Sequence, residues 1–256
     1  MARQIQLDLL PSSPPQVEGV AISVHATPSR TVGGDFYDFV KIDDKQLGVV
    51  IADASGKGMP AALMIAQIQA IVHSEVNNGN EIGRMIGNMN QIMYSALSSE
   101  KYVTLFYGVF NMEELTFDYV NAGHNYPLLV HSDGGCDELI VGGPVIGALP
   151  GMTYQSSQVK LQHDDLLFLF TDGLSEAMDS AEREYGEARV KQFVCTHREQ
   201  EPSSLVQMIL NDVRTHDPSD PPADDTTIIA IKLSRPGQTG DPAHDVRREE
   251  IIRPQE

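Results

Sequence analysis

Four aspartate-containing segments hold the residue types in this sequence that are best suited to chemistry. Each places an aspartate where an apolar run meets a turn, and three put glycine nearby, which lets the backbone approach a ligand closely. Carboxylate oxygens held at the mouth of a sheet are the ligands that hard cations such as Mg²⁺ and Mn²⁺ prefer. A single aspartate in such a turn is also a common turn former, so it is the recurrence that indicates a metal site. The segments are Gly33-Gly34-Asp35-Phe36-Tyr37-Asp38, Ala52-Asp53-Ala54-Ser55-Gly56-Lys57-Gly58, Thr171-Asp172-Gly173 and Ala223-Asp224-Asp225-Thr226-Thr227.

Electrostatics determine what such carboxylates must do if they lie together. Two like charges about 4 Å apart repel by roughly 4 kcal/mol at an effective dielectric near 20. Several such pairs would rival the roughly 5–15 kcal/mol that stabilises a folded domain. Converging carboxylates must therefore bind cations or take up protons. The sequence alone leaves their convergence open, and it stands as a prediction.

The hydrophobic pattern predicts the elements that position the first two segments. The apolar run Leu47–Ala52 is typical of a buried strand that ends at Asp53. Pro60 suits the first turn of a helix, and a second helical stripe runs from Ile82 to Leu97. Methionines are frequent in both stripes, which fits plain core packing or an adaptable surface.

The rest of the chain favours mixed secondary structure. Short apolar runs separated by Asn, Gly and Pro follow Lys101, and Asp165–Phe170 precedes the third aspartate segment. A helix is predicted over Ser203–His216 and a last strand over Thr226–Leu233. Successive strands with close turns indicate antiparallel pairing, so the predicted class is α+β with about ten strands and four or five helices.

Composition narrows the function classes. The 256-residue chain has a formal net charge of −18, which argues against a nucleic-acid partner because phosphate backbones recruit Lys and Arg. No stretch approaches the roughly 20 apolar residues of a membrane span, and the N-terminus lacks a signal-peptide pattern. The two cysteines, Cys136 and Cys195, form no paired framework. A cytoplasmic location and no membrane contact are the expectations.

Seven motifs, taken in order, carry a resemblance to a known family. They are GGDFYDF, IADASGKGMPAALMIA, NAGHNYPLLV, GPVIGALPG, LFLFTDGLSEAMD, YGEARV and DDTTIIAIKL. Each is weakly specific alone, but the ordered set closely resembles the SpoIIE/RsbU-like bacterial branch of the PPM-type protein phosphatases. The resemblance covers about residues 3–233, and RQIQLDLLP is similar to the segment that leads into this domain in multidomain members.

The resemblance implies a fold and a set of metal ligands. The implied fold is a four-layer α-β-β-α arrangement, an antiparallel β-sandwich flanked by helices, with two divalent cations, Mn²⁺ or Mg²⁺, at one end. By position, Asp35 is similar to a ligand of one metal, and Asp53 is similar to the carboxylate that bridges both. The main-chain carbonyl of Ala54 matches a further ligand. Asp172 and Asp224 match ligands of the second metal.

A few further residues have supporting or alternative roles. Asp225 stands where other branches have Asn and is assigned a supporting role, and Asp38 is expected to reach the site through water. His124 fits either a general acid or a residue that holds a turn by hydrogen bonds, and the structural role is favoured. Arg30 lies five residues before Asp35, near a phosphate-binding Arg position of eukaryotic relatives, although an exposed, solvated Arg is the simpler interpretation. Lys57 fits phosphate binding or a polar loop.

The implied reaction is hydrolysis of phosphoserine or phosphothreonine. Two metals clamp an in-line displacement and lower the pKa of a bound water that attacks phosphorus. No C-x₅-R signature is present, and neither cysteine lies among the acidic motifs, which disfavours a cysteine nucleophile. The implied substrate is a phosphorylated regulatory protein, such as an anti-sigma-factor antagonist of the STAS type.

The resemblance also predicts the organisation of the chain. Residues 1–15 are expected to be a lead-in or linker, residues 16–234 the phosphatase domain, and residues 235–256 a disordered acidic tail. The helix pair within residues 60–97 follows the Asp53 loop and is expected to be a switch on which an upstream activator acts.

Two other functions compete with hydrolysis. A catalytically degenerate, partner-binding module would share the fold but lack intact acidic positions, whereas all the principal aspartates are present. GGDFYD superficially resembles the GGDEF motif of diguanylate cyclases. A nucleotidyl cyclase would leave the TDG and DDTT segments without a role.

Overall fold

The computed structural model describes residues 4, 6, 9–11, 13–98, 100–219, 222–234 and 244–245. Its strands are β1 (Val20–Thr27), β2 (Asp35–Lys41), β3 (Gln46–Ala54), β4 (Val103–Asn111), β5 (Thr116–Ala122), β6 (Leu128–Val130), β7 (Cys136–Glu138), β8 (Gly142–Gly143), β9 (Ser157–Lys160), β10 (Leu166–Phe170), β11 (Thr226–Leu233) and β12 (His244–Asp245). Its helices with described bounds are α1 (Met59–Asn77), α2 (Ile82–Ala96), α3 (Asp172–Ser175), α4 (Glu187–Thr196) and α5 (Pro202–His216).

The chain divides into two compact units, each built around one sheet. Unit 1 comprises Met1–Pro11, Arg30–Tyr126 and Leu139–Leu161. Unit 2 comprises Ser12–Ser29, Pro127–Glu138 and Gln162–Glu256.

The sheet of unit 1 has the strand order β2-β3-β4-β5-β8, with β9 also paired to β5. All of its pairs are antiparallel except the two-residue pairing of β5 with β8. One face carries Phe36, Ala52 and Leu105, which form a single buried core with helices α1 and α2. The helices contribute Met64, Ile65, Ile68, Val72, Met85, Ile86, Met89 and Met93 to that core. The four methionines are at most 5% exposed, so their role here is core packing.

The sheet of unit 2 has the order β12-β1-β11-β10-β6-β7. Strand β10 is buried along its whole length, as its unbroken apolar run predicts. Its Leu166, Phe168 and Phe170 pack against the buried faces of α4 and α5, which contribute Val190, Val194, Leu205, Val206, Ile209 and Leu210. Burying each such side chain stabilises the fold by roughly 1.5–3 kcal/mol.

Some observed elements have no mark in the hydrophobic pattern. Strand β9 was not expected, because its sequence SQVK has no apolar run to mark it. Strand β7 is also polar, and it pairs with β6 in a hairpin that is closed where the His131 N–H donates to the Gly135 carbonyl at 2.8 Å. The N-cap of α2 is Glu81, and the side chain of the preceding Asn80 donates to Glu75 Oε2 at 3.2 Å.

The two predicted terminal segments are only partly covered by the structure. Of the predicted disordered tail, residues 235–243 and 246–256 lie outside the described residues. Between them, His244 and Asp245 form β12, which pairs in parallel with Ser23 and Val24. Of the predicted lead-in, residues 1–3, 5, 7, 8 and 12 lie outside the described residues. Within the described ranges, none of the helices has the length and apolarity required to cross a bilayer.

His131 links the β6–β7 hairpin of unit 2 to the turn before β10. Its Nε2 lies 3.1 Å from Asp137 Oδ2, and its Nδ1 lies 3.3 Å from Asp165 Oδ2. Asp165 is fully buried and also accepts the N–H groups of Ser132 and Gln162. Burial lowers the pKa of His131, but the hydrogen bonds to Asp137 and Asp165 outweigh it, so the pKa is raised above its usual value. Only the protonated ring donates from both nitrogens at once.

The His131 contacts predict a pH-dependent stability. Because the folded-state pKa is raised, the stabilisation is complete below the unfolded-state value of about 6.5 and is lost as pH rises through the folded-state value. Urea unfolding between pH 5.5 and 8.5 should show this loss in the wild type and a smaller one in His131→Asn. His163→Asn serves as a control, because His163 faces the Ser234 carbonyl and not a carboxylate. Equal pH dependence of the wild type and His131→Asn would contradict the assignment.

Candidate active site

Asp35 and Asp53 form a cross-strand pair in unit 1. They lie directly opposite each other in the antiparallel register of β2 and β3. Side chains opposite each other in an antiparallel pair share a face, with Cβ atoms about 4.5–5.5 Å apart. Their neighbours Phe36 and Ala52 point to the helix-packed core, so the two carboxylates lie on the other face. Asp35 and Asp53 therefore lie side by side, and both residues are half-buried.

Gly34 brings a backbone carbonyl into the same neighbourhood. A β-carbon at Gly34 would lie 2.8 Å from the Ala54 carbonyl oxygen and 3.1 Å from Asp53 Oδ1. The Gly34 carbonyl in turn accepts the Ala54 N–H at 3.1 Å. The absence of a side chain at Gly34 thus allows the Asp53 carboxylate and the Ala54 carbonyl to approach the turn that carries Asp35.

Asp172 and Asp224 lie at neighbouring strand ends in unit 2. Strands β10 and β11 are antiparallel, with Phe170 opposite Ile228, so the end of one lies beside the start of the other. The Thr171 N–H donates to the Thr227 carbonyl at 3.0 Å, and the Thr227 N–H donates to Thr171 Oγ1 at 2.9 Å. These bonds hold the turn with Asp172 against the turn with Asp224. Both aspartates are half-buried.

Gly173 allows the two turns of unit 2 to pack closely. A β-carbon at Gly173 would lie 2.0 Å from the Asp225 carbonyl oxygen, a distance that no side chain tolerates. Asp224 Oδ1 accepts the Asp225 N–H at 2.9 Å, which fixes the second turn from within. The glycine of the TDG motif is therefore required for the close approach.

These donors fit hard divalent cations by chemistry. They are carboxylate and carbonyl oxygens, which Mg²⁺ and Mn²⁺ prefer. Each unit carries only two of the predicted carboxylate ligands, Asp35 and Asp53 in unit 1 and Asp172 and Asp224 in unit 2. Among the residues that the structure describes, no group of three or more His, Cys, Asp or Glu side chains is spaced to hold one metal ion.

Asp38 lies on the opposite face of β2 from Asp35. It is 6% exposed, and its Oδ2 lies 2.8 Å from His73 Nε2 on α1. Its Oδ1 accepts the Phe39 N–H at 2.7 Å. The structure therefore gives Asp38 a role in joining β2 to α1, and its position argues against the expected approach to the metal site through water.

Asp225 is held by a residue that the sequence did not single out. Asp225 Oδ1 accepts the N–H of Ser29 at 2.7 Å and its hydroxyl at 2.8 Å. Asp225 is 6% exposed. It ties the chain after β1 to the start of β11, which agrees with a supporting role. Ser29 carried no signal, because a lone serine in a polar stretch resembles any loop residue.

His124 lies in a network of turn hydrogen bonds. Its backbone N–H donates to Asn121 Oδ1 at 2.8 Å, and Asn121 Nδ2 donates back to the His124 carbonyl at 3.1 Å. Its Nδ1 lies 2.9 Å from Thr104 Oγ1, and Thr104 is the β4 residue opposite Asp53. His124 is 3% exposed. These contacts favour the turn-holding role.

The basic residues near the first two segments are surface residues. Arg30 and Lys57 are both exposed. Lys101 is better placed, since its Nζ lies 3.3 Å from the Ser55 carbonyl in the loop that follows Asp53. Its position before a strand gave no sign of this contact.

Comparison with known proteins identifies the family of this chain. The family described as Stage II sporulation protein E (SpoIIE) matches residues 43–234, three quarters of the sequence. The chain belongs to the SpoIIE family.

Relatives of this SpoIIE-family chain include named phosphatases. It is 28% identical over 239 residues to phosphoserine phosphatase RsbU of Bacillus subtilis, covering 91% of this chain and 69% of RsbU. It spans 40% of the length of protein IcfG of Synechocystis and 44% of phosphoserine phosphatase RsbP of B. subtilis. The predicted enzyme class, a protein phosphatase, is confirmed by these relatives.

Solved structures confirm the predicted α+β fold of PPM-type (PP2C) phosphatases. The SiaA-PP2C domain of Pseudomonas aeruginosa superposes with a TM-score of 0.77 at 22% identity, covering 91% of this chain and 94% of that domain. RsbX, solved in complex with magnesium, gives a TM-score of 0.63 at 20% identity, covering 86% and 98%. In this fold Gly33 and Gly34 precede β2 and residues 35–38 begin it, which leaves the cyclase alternative without support.

The close packing at Gly173 predicts a large effect of a single methyl group. Gly173→Ala should lower the free energy of unfolding by about 1–3 kcal/mol, because the Asp225 backbone must move. Gly87→Ala on α2 is the control, since its β-carbon would meet the Met152 carbonyl at an ordinary 3.6 Å. That control should be neutral or stabilising by up to about 1 kcal/mol. Urea unfolding measures both, and equal stability of the two variants would contradict the packing argument.

Proposed function

We propose that this SpoIIE-family chain is a divalent-cation-dependent phosphatase that hydrolyses phosphoserine or phosphothreonine on a regulatory protein. The observation that carries the proposal is the cross-strand pair of Asp35 and Asp53, together with the position of Asp172 and Asp224 just beyond neighbouring strand ends of unit 2. Like charges held this close are unfavourable unless cations or protons compensate them. The names of RsbU and RsbP as phosphoserine phosphatases support the same reaction.

The proposed ligands are those of the sequence prediction. They are Asp35, Asp53 and the Ala54 carbonyl, and Asp172 and Asp224. The cations are Mg²⁺ or Mn²⁺, and the magnesium complex of RsbX supports this choice. When bound, such cations activate water and neutralise charge on the phosphoryl group.

The strands and turns around the four aspartates hold the proposed ligands in fixed positions. The β2–β3 ladder holds Asp35 and Asp53 on one face, and the Thr171 and Thr227 bonds hold the turns that carry Asp172 and Asp224. Side chains fixed by strands and packed turns keep their positions when the substrate binds. The four aspartates are half-buried, so they combine this order with access from solvent.

The proposed substrate is a phosphorylated regulatory protein, such as an anti-sigma-factor antagonist of the STAS type. A chain with a net charge of −18 would repel an anionic phosphoprotein in the absence of local positive charge. Bound divalent cations would supply that charge at the site itself. The substrate choice rests on the family resemblance.

The helix pair α1–α2 is proposed to receive an upstream activator. The two helices share one buried core with the sheet that carries Asp35 and Asp53. His73 of α1 also contacts Asp38, three residues along β2 from Asp35. A shift of α1 would therefore displace β2, the strand that carries the proposed ligand Asp35.

The proposed ligands predict which substitutions abolish hydrolysis. Asp53→Asn and Asp172→Asn should each lower kcat/KM for a phosphoserine peptide by about 100-fold or more in Mn²⁺. Even residues that only support a metal ligand typically contribute 10- to 100-fold. Without metal, Asp53→Asn should be as stable as the wild type or more so, because it removes the repulsion with Asp35.

Controls separate loss of metal from loss of fold. Asp44→Asn changes an aspartate that is 94% exposed and pairs only at the surface with Lys41, so its activity should match the wild type. EDTA should abolish activity, and added Mn²⁺ or Mg²⁺ should restore it. A phosphotyrosine peptide tests the specificity. If Asp53→Asn and Asp172→Asn hydrolyse the peptide like wild type, or if none is active, the partner-binding module becomes the better interpretation.

His124 is predicted to act through structure rather than as a general acid. His124→Gln should lower the urea midpoint and reduce kcat by less than about 10-fold, with the shape of the pH profile retained. A general acid contributes about 10²–10⁴-fold, and its removal would abolish the alkaline limb of the profile. Thr104→Val removes the partner of His124 and should show the same modest loss. A 100-fold loss together with the missing limb would instead identify His124 as the acid.

A further inference from the structure

Gln6 binds both polar backbone groups of Gly33 with a single carboxamide. Gln6 Nε2 donates to the Gly33 carbonyl at 2.7 Å, and the Gly33 N–H donates to Gln6 Oε1 at 2.9 Å. The two residues are 27 positions apart, so these bonds are tertiary contacts. The carboxamide occupies the place that a neighbouring strand would take in a sheet ladder.

Gly33 is the residue from which the Asp35 turn starts. It is buried, and it precedes the first residue of β2 by two positions. Buried backbone N–H and C=O groups need partners, and Gln6 supplies one to each. A β-carbon at the adjacent Gly34 would lie 3.1 Å from Asp53 Oδ1 and 2.8 Å from the Ala54 carbonyl oxygen, so this turn packs directly against both groups. A displacement of Gly33 would therefore also move the turn that positions three of the proposed ligands, Asp35, Asp53 and the Ala54 carbonyl.

The segment around Gln6 is anchored at two further points in unit 1. Gln69 Nε2 on α1 donates to the Leu9 carbonyl. Leu10 packs against the core formed by the sheet and helices α1 and α2. The described residues of the predicted lead-in thus contact both α1 and the Asp35 turn, which a passive linker would not do.

We infer that Gln6 is a positioning residue for the proposed metal site. It fixes the Gly33-Gly34-Asp35 turn so that the Asp35 and Asp53 carboxylates and the Ala54 carbonyl keep their arrangement before a cation binds. The inference rests on the proposed function, which gives these oxygens their role. Residues that support metal ligands in this way typically contribute 10- to 100-fold to metal affinity.

The test replaces the carboxamide by an apolar group of similar shape. Gln6→Met in the full chain removes both hydrogen bonds and keeps most of the side-chain volume. Amide hydrogen exchange of the metal-free protein should become faster in peptides that cover residues 30–40. Calorimetric titration with Mn²⁺ should show binding weakened by about 10-fold or more. Circular dichroism should show an unchanged fold, and Gln6→Ala replaces this variant if it does not fold.

The controls keep this inference separable from the proposed function. Gln16→Met changes an exposed glutamine in the same part of the sequence and should leave both exchange and Mn²⁺ affinity unchanged. A Gln6→Met protein that matches an active wild type in Mn²⁺ affinity would overturn the inference, whether or not exchange is faster, and would leave the proposed function standing. A wild type that binds no Mn²⁺ and hydrolyses no phosphoserine would remove the proposed function, and the inference with it.

Discussion

The register between β2 and β3 is the constraint on which the proposed chemistry depends. A slip of one residue would turn Asp35 towards the helix-packed core and Phe36 away from it. Phe36, Val50 and Ala52 are fully buried, and each large apolar side chain lost from the core would cost roughly 1.5–3 kcal/mol. The repulsion between two carboxylates about 4 Å apart is roughly 4 kcal/mol at an effective dielectric near 20. Several core residues together outweigh it, so the core holds the charges in place.

Unit 2 joins the backbone segments that carry Asp172 and Asp224 by a different means. Asp172 and Asp224 lie beyond the last paired residues of β10 and β11, where the ladder no longer fixes the backbone. Their turns are joined by the Thr171 and Thr227 bonds and by the close approach of Gly173 to the Asp225 carbonyl. The Asp225 carboxylate accepts a hydrogen bond from the Ser29 hydroxyl. Of the two adjacent aspartates, one therefore supports the turn while the other is the proposed ligand.

The sequence predicted the elements with strong patterns and missed contacts that have none. Runs such as Leu47–Ala52 and Leu166–Phe170 identify buried strands, because few other structures explain an unbroken apolar stretch that ends at a turn. The cross-strand position of Asp35 and Asp53 agrees with the placement of aspartate at strand ends, and the ligand roles stay a prediction. Strand β9 is polar and half-exposed, and it forms because β5 offers it a partner. No local hydrophobic pattern in the sequence predicts a strand of this kind.

The supporting residues of the site were missed for the same physical reason. Gln6 and Lys101 bind backbone groups of residues far away in sequence, and Ser29 donates to the Asp225 carboxylate 196 positions away. Such contacts need no particular spacing in the sequence. The sequence interpretation placed Asp38 near the metal site, since it lies only three residues from Asp35. Strand alternation places residues at odd separations on opposite faces, and the contact with His73 follows from that rule.

Two carboxylates in each unit are compatible with the proposed cations. Mg²⁺ demands near-octahedral oxygen coordination, gives up water reluctantly, and is commonly held by one or two carboxylates together with waters and substrate phosphate. A dense all-protein cage would leave fewer positions for the phosphoryl group. A small number of carboxylate ligands also suits an acidic chain, because each carboxylate added to the site would increase the electrostatic repulsion of an anionic substrate. A small ligand set on rigid supports, with Gly33 held by Gln6, therefore serves this reaction better than a larger set would.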